Sequence, residues 1–492
     1  MKIKKLLSLF LCTVMLVTVM SACGGNSQAQ QASETPIEAT SATNVNDQLD
    51  KIDITTGGYQ VNTTLDQSKV ITLDIVGPGL FEHGEKGETD LVSGIFIPGW
   101  DVIEARWNEL YPNIKLNFNI CPWGDWQSSI TTACLDGQAD IIMHGASLPD
   151  LTEDLTPYIE TDEGYRDQIY VTAARRTTQN PSVYKTSGIS VYTAPVIVWL
   201  DTEKFEHFGV ALPNDDWTIE EFMETAEKLT GTDPVTGEAS YGLMLPFSGT
   251  SNLFFNYMLF AYGTGAQVFH YGETFADCTV DFTSSESVEA FDIVAKLAQF
   301  ESPDVREGVS VNSVIDGSNT WAMMGSNAGV ANLFQMQAAG IEEGRYIAYN
   351  LPVISKGQYA GSPMPYFGDI NIAMYNQSDS KEWAWEFIKF LTTDEVATQW
   401  VADQLVYPNN VDAIEAVEAF MDERTLSVFA HAMSTMPENF NGSTNDNFNN
   451  VSFGSVTTNL LTAVDDVVNG RITPEKAAQN MQDYIDEYLS MN

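Results

Sequence analysis

Apolar and polar positions alternate along this chain in a way that lays out its first folded elements. Val70-Ile71-Thr72-Leu73-Asp74-Ile75-Val76 is rich in β-branched residues and reads as a strand, closed by Gly77-Pro78-Gly79. A helix is predicted around Asp101 to Leu110, where Pro112 stops it. Ile114, Leu116, Phe118 and Ile120 then recur at every second position, the period of a strand. A second helix is predicted from about Trp126 to Leu135, ended by Gly137, and Ala139 to Met143 forms another apolar strand. Strands alternating with helices predict an α/β body with a largely parallel sheet.

The second half is richer in helix. Thr218-Ile219-Glu220-Glu221 is a capping box, in which the Thr hydroxyl and the Glu carboxylate each satisfy a free backbone N–H. Behind it, Ile219, Phe222, Met223, Ala226 and Leu229 form one apolar face. Ala384, Phe387, Ile388 and Leu391 repeat that spacing, and Thr392 to Glu395 offers a further capping box. The last helix is predicted to start at Thr473-Pro474, with Ala477, Ala478, Met481, Ile485 and Leu489 as its buried stripe. At 492 residues the chain exceeds what one core organises, so two lobes are expected. Residues 24 to 68 are rich in Gln, Ser, Thr, Ala and Asn, which predicts a flexible tether before folded sequence begins near Lys69.

The N-terminus changes the picture. Lys2, Lys4 and Lys5 precede an apolar run from Leu6 to Met20, then Ser21-Ala22-Cys23. This is the three-part pattern of a secretory signal, with a run too short to span a bilayer. The cysteine after Ser-Ala resembles a lipobox, in which Cys23 is lipidated and becomes the new N-terminus; an ordinary signal is the alternative. The full chain carries −44, and losing residues 1–22 removes three lysines and no acid. Such a chain lacks the basic patches that nucleic acid or an anionic lipid surface requires. Its excess charge reads as a solvated shell, with attraction of a cationic ligand as the alternative. Cys121, Cys134 and Cys278 remain in the body. Their odd number gives no complete disulfide framework, and no CxxC or Cys/His spacing indicates zinc. Cys121 and Cys134 either pair or stay free and buried.

Several segments resemble one family. Leu135-Asp136-Gly137-Gln138-Ala139-Asp140-Ile141, Val198 to Phe205, Gly209-Val210 with Pro213 and Trp217 to Phe222, Gly317 to Gly325, and Ser380 to Glu395 are similar, in this order, to motifs of the extracellular solute-binding proteins of ABC importers, family 1. That group mostly binds sugars and oligosaccharides. The resemblance spans about residues 70–490 and implies an α/β two-lobed periplasmic-binding-protein-like (type II) fold. Its hinge-linked lobes hold the ligand in the cleft between them. Crossings are implied near Ala194-Pro195-Val196, Met324-Gly325-Ser326 and Ile372-Ala373-Met374. Lobe 1 would comprise 69–194 plus 326–372, and lobe 2 would comprise 196–324 plus 374–492. The implied partners are a small-molecule solute and the transmembrane subunits of an ABC permease. The implied state is a monomer on the extracellular face of the cell membrane, held by its lipid alone, without a cofactor.

A sugar offers hydroxyls and an apolar ring face, so its site needs aromatic platforms and planar polar groups. Loops after strand ends are the places to find them. Trp123 and Trp126 follow the strand ending at Ile120; Trp123 is a site candidate, and Trp126 is expected to pack in the core. His144 follows a strand and either donates to a hydroxyl or is a hydrogen-bonded loop residue. Tyr192, Phe247, Asn256 and Trp321 lie near crossings or loops, and Tyr366, Phe367 and Asp369 precede the third crossing. Trp217, at a helix start, is expected in the core. Family members often place a Trp where this chain has Asn327, which leaves a non-sugar solute such as a peptide or polyamine open.

Enzyme signatures are missing from the sequence: there is no GxSxG, HExxH or GxxxxGK. With 67 acidic residues, carboxylate pairs carry no information about glycosidase chemistry. A secreted polysaccharide-acting enzyme is the remaining alternative of another class. Asp233-Pro234-Val235-Thr236-Gly237-Glu238 lacks EF-hand spacing and reads as a turn.

Overall fold

A computed structural model of the chain describes residue 54 and residues 58–491, apart from 91–93, 146–147, 149, 170–171, 177–183, 245–252, 267, 271–278, 303–313, 315–317, 327, 358–359, 363, 365–366 and 435–452. Two principal sheets are built from β1 (Ile71–Gly77), β2 (Ile114–Ile120), β3 (Ile141–Met143), β4 (Thr172–Arg176), β5 (Tyr184–Pro195), β6 (Ile197–Asp201), β7 (Met323–Ser326), β8 (Tyr346–Tyr349), β9 (Phe367–Met374) and β10 (Tyr407–Pro408). The larger sheet runs β10-β5-β9-β3-β1-β2, with β4 also paired to β5. Its β2-β1-β3 portion is parallel, as the strand–helix alternation predicts, while β9 pairs antiparallel with β3 and β5. The smaller sheet runs β7-β6-β8, all antiparallel.

The helices are α1 (Asp101–Leu110), α2 (Trp126–Leu135), α3 (Thr202–Phe208), α4 (Ile219–Lys228), α5 (Leu253–Gly263), α6 (Ser285–Leu297), α7 (Gly329–Ala338), α8 (Lys381–Thr393), α9 (Glu395–Ala402), α10 (Val411–Glu418), α11 (Glu423–Ser434), α12 (Phe453–Val468) and α13 (Pro474–Met491), with short turns of helix between them. The Thr218/Glu221 capping box forms as read from the sequence. The one expected at Thr392 does not. Thr392 and Thr393 lie inside α8, their hydroxyls donating to carbonyls one turn back, and Asp394 caps α9 by accepting from Val396 and Ala397.

Burial divides the helices between the sheets. Leu73 and Ile75 pack with Trp107 of α1, Phe387 of α8 and Trp400 of α9 on one face of the larger sheet. Val76 and Ile142 pack with Ile130 and Cys134 of α2 on the other face. In β6 every residue is buried, and period two splits them. Val198 and Leu200 face a cluster holding Trp217, Phe260, Phe291 and Met481. Ile197 and Trp199 face another, with Trp321, Phe334 and Phe429. That last cluster also takes in Ile97, Leu405 and Tyr407 from the larger sheet's side, so apolar contact spans the junction.

The chain passes between the sheets at Val196, again between Tyr349 and Phe367, and again after Pro408. This differs from two of the implied crossings. Met324-Gly325-Ser326 stays paired on β6, and α7 behind it packs on the same sheet. Ile372 to Met374 stays paired on β3. Residues 329–349 therefore belong with the smaller sheet and 381–402 with the larger, the reverse of the expected division.

The predicted tether boundary at residue 68 also moves. Tyr59 and Leu65 pack on the larger sheet's core, and Ile54 is buried with its N–H donated to Gln399 Oε1. The fully buried Glu386 carboxylate of α8 fastens this strap. It accepts from Tyr59, from Tyr111 at 3.1 Å and from Asn62 at 3.2 Å, with Lys389 Nζ 3.3 Å away. Burial, reinforced by the Glu386 charge, raises the Tyr59 phenol far above its ordinary value, and burial takes Tyr111 up to about 12. Both phenols are neutral donors at physiological pH. Glu386→Ala strands these donors and is expected to cost about 3 kcal/mol. Urea unfolding would measure it, and a loss under about 1 kcal/mol would show that the strap is held by apolar packing alone.

Candidate functional site

One edge of the larger sheet gathers the chemistry. β1, β2 and β3 are parallel, so their C-terminal ends share an edge. The antiparallel β9 begins at that edge with Phe367 opposite Pro195, where the chain crosses to the smaller sheet. Loops leaving the strand ends are therefore brought beside the junction, the place where open α/β sheets bind ligands.

Trp123 lies in the loop after β2. Its indole is 45 % exposed, unusual for so large an apolar group. The ring is nevertheless fixed. Its Nε1–H donates to Glu82 Oε2 at 3.3 Å, and its ring meets His144 edge-on at 5.6 Å. Gly79, at φ +92°, lies beneath its rim, and a Cβ there would stand 3.1 Å from both Trp123 Cζ2 and Ile370 Cδ1. Only glycine both adopts that backbone and leaves room for the indole. His144 directly follows β3 with φ 57°, a conformation rare outside glycine and concentrated at functional sites. Its N–H donates to the Asn371 carbonyl at 2.6 Å, and its ring also meets Trp126 edge-on at 4.9 Å. Trp126 is half-buried against the core cluster beneath α2, so it joins core and site rather than belonging to the core alone. Tyr192, half-buried in β5, is the direct cross-strand neighbour of Ile370.

The structure thus brings Trp123, His144 and Tyr192 to one edge and adds Glu82, Gly79 and Trp126. Trp321 is corrected. It is wholly buried, tilted against Tyr346 at 5.7 Å, and presents no face to a ligand. Its Nε1–H and that of Trp199 have no hydrogen-bond partner among the described residues. Trp217 is core as expected, donating to the Asn350 carbonyl at 2.9 Å. Asn256 lies in α5, and Phe367 and Asp369 lie in β9 opposite Pro195 and Thr193; their side chains are outside the described set. Phe247, Tyr366, Asn327 and Cys278 lie outside the described residues.

Cys121 and Cys134 are free thiols, and burial pushes Cys134 up to about 11. Asp233 closes a turn. Its carboxylate accepts from the N–H groups of Val235 and Thr236 and pairs with His207 at 2.9 Å. Against the desolvation that burial imposes, these partners hold it down at about 2. Among the described residues no group of three His, Cys, Asp or Glu is placed to hold a metal, and no helix is long and apolar enough to cross a membrane.

An exposed indole and carboxylate beside a half-buried imidazole form an arrangement that stacks and accepts hydrogen bonds. A sequence profile of the bacterial extracellular solute-binding proteins matches residues 100–398. The chain belongs to that family. Members of this family bind solutes rather than transform them. A binding protein of Brucella abortus (strain 2308) is 22 % identical over 351 residues, 68 % of this chain and 77 % of that one. Among solved structures, the chain is similar to the ABC substrate-binding protein Lmo0181 of Listeria monocytogenes in complex with cycloalternan: 18 % identity, TM-score 0.60, covering 85 % of this chain and 99 % of that one. It is also similar to a solute-binding protein of Thermotoga lettingae bound with α-D-tagatose (18 %, TM-score 0.59, 86 % and 100 %) and to T. maritima MalE3 with maltose (14 %, TM-score 0.57, 86 % and 100 %). These likenesses establish the two-lobed type II fold, with its cleft between hinge-linked lobes.

In this solute-binding protein, Trp123→Ala removes an exposed platform that supports no core. The change is expected to leave unfolding free energy within about 0.5 kcal/mol. Solute affinity should fall about thirty-fold, the roughly 2 kcal/mol typical of a buried aromatic anchor. Calorimetric titration beside urea unfolding separates the two, and unchanged affinity would remove Trp123 from the site.

Proposed function

We propose that this protein is the lipid-anchored receptor of an ABC importer, capturing a sugar or oligosaccharide and delivering it to a membrane permease. The observation that carries the sugar reading is the exposed Trp123 indole, with its N–H engaged by the Glu82 carboxylate at the junction edge. The ring face takes the apolar face of a pyranose, and the carboxylate and His144 ring supply polar partners for hydroxyls. The sugars and polyols held by its structural neighbours accord with this reading. Lobe 1 is taken as 58–195 plus 367–410, and lobe 2 as 197–364 plus 411–491. A ligand that touches both lobes only when they are shut shifts the open–closed equilibrium by its difference in affinity. Tyr192 and the start of β9, with Phe367 and Asp369, lie on the crossing strands and are assigned to the cleft wall. Phe247, Asn256 and Tyr366 complete the set of proposed ligand contacts. The receptor acts as a monomer at the extracellular face, with Cys23 carrying the lipid after the signal is removed.

A thermal-shift screen of the chain lacking its first 22 residues tests the ligand class. A bound sugar at a hundred times its dissociation constant is expected to add about 2.7 kcal/mol. A shift with a peptide or polyamine and none with carbohydrates would overturn the sugar reading. Cys23→Ser is expected to release the protein from the membrane fraction into the medium, and retention on the membrane would overturn the anchor.

A further inference from the structure

The site's charge has a direct consequence for ligand choice. The sequence segments that contain Glu82, Trp123 and His144 (78–85, 121–125 and 144–150) carry the acids Glu82, Glu85, Asp125 and Asp150 and no Lys or Arg. The next basic residue, Lys86, is held by Glu85 at 3.0 Å and Asp101 at 3.2 Å. Elsewhere the pattern repeats. Each arginine whose side chain is described (Arg106, Arg166, Arg345, Arg424 and Arg471) lies within 3.7 Å of an Asp or Glu oxygen. Arg175 and Lys185 pair with each other at the far end of β4 and β5, with Arg176 opposite Tyr184, seven to eight residues before Tyr192 and therefore roughly 23–26 Å away at 3.3 Å per residue. Among internal residues outside the described set, Arg306 is the one Lys or Arg. An anionic solute entering this edge would meet the Glu82 carboxylate with no Lys or Arg in these segments beside it, and the described arginines already committed to carboxylates elsewhere.

We propose that the site rejects anionic ligands and that Glu82 sets this preference, so that the solute is a neutral or amino-bearing carbohydrate. The inference rests on the carbohydrate reading above and narrows it. Glu82 is exposed; its backbone N–H donates to the Gly79 carbonyl at 2.7 Å, and its carboxylate accepts from the Trp123 indole. Its second oxygen is left at the rim of the platform, where a stacked sugar places its ring substituents. A hydroxyl or ammonium there donates to the carboxylate, whereas a uronate carboxylate is repelled at short range.

The test uses the purified full chain and trisaccharides of three kinds: neutral (glucose, mannose or xylose units), amino (deacetylated chitotriose) and uronate (galacturonate or mannuronate units). Titration calorimetry is expected to find a neutral or amino trisaccharide that binds at least thirty-fold tighter than any uronate. The gap should shrink in 1 M salt, because exposed charges are screened within about 3 Å there. Glu82→Gln should narrow the uronate-to-neutral ratio at least ten-fold. Uronate binding as tight as neutral binding would overturn the proposal while leaving the carbohydrate reading intact. An unchanged ratio in Glu82→Gln would remove Glu82 as its source. No binding by any of the three kinds, with a shift for a peptide, would overturn this inference and the carbohydrate reading together.

Discussion

The extended stretch from Tyr184 to Asp201 is the element on which both sheets hang. Up to Pro195 it hydrogen-bonds to β4, β9 and β10. One residue later it becomes the central strand of the smaller sheet, flanked by β7 and β8. A backbone ladder must be nearly complete when buried, because each unpaired N–H or C=O costs free energy. Each sheet therefore fixes its own half of this stretch, and rotation between them is left to Val196 and the two other crossings. The apolar cluster of Ile97, Leu405 and Tyr407 with Ile197 and Trp199 lies against this junction.

The same arrangement explains where the chemistry collects. Parallel strands release their loops at a common edge, and the antiparallel β9 starts at that edge because it arrives from the other sheet. Trp123, His144 and Glu82 come from three loops far apart in sequence and need no shared motif to meet. Their rigidity comes from the sheet: Gly79 sits against Ile370 of β9, and the backbone of His144 is bonded to Asn371.

Much of this was legible in the sequence, unevenly. Helices α1, α2, α4 and α13 fall where periodicity, capping and proline placed them, because those signals are local. The division of the chain between sheets was not legible beyond the first crossing. Met323 to Ser326 has the same apolar character whether it pairs with β6 or leaves for another sheet, and only long-range pairing decides. The docking of 58–68 was hidden for a similar reason. That stretch is polar in composition, yet Tyr59 and Asn62 find one buried carboxylate more than 300 residues away. Trp123 and His144 could be read from their positions after strand ends. Glu82 could not, being one of 67 acidic residues. Trp321 misled because nearness to a junction in sequence is not exposure to its cleft.

The strap at Glu386 lies at the other end of the molecule's longest parallel strands. Tyr111 and Ile71 mark the N-terminal edge of β1 and β2, and Trp123 follows the opposite end, roughly 20 Å away across seven residues. A pull exerted through the chain before residue 54 meets Ile54 first, packed in the apolar cluster at the junction and bonded to Gln399 of α9, and then the Glu386 strap of α8. The N-terminal stretch is thus tied to the lobe of the larger sheet through Glu386 and to the junction through Ile54, so what holds the N-terminus also bears on the place where the lobes meet.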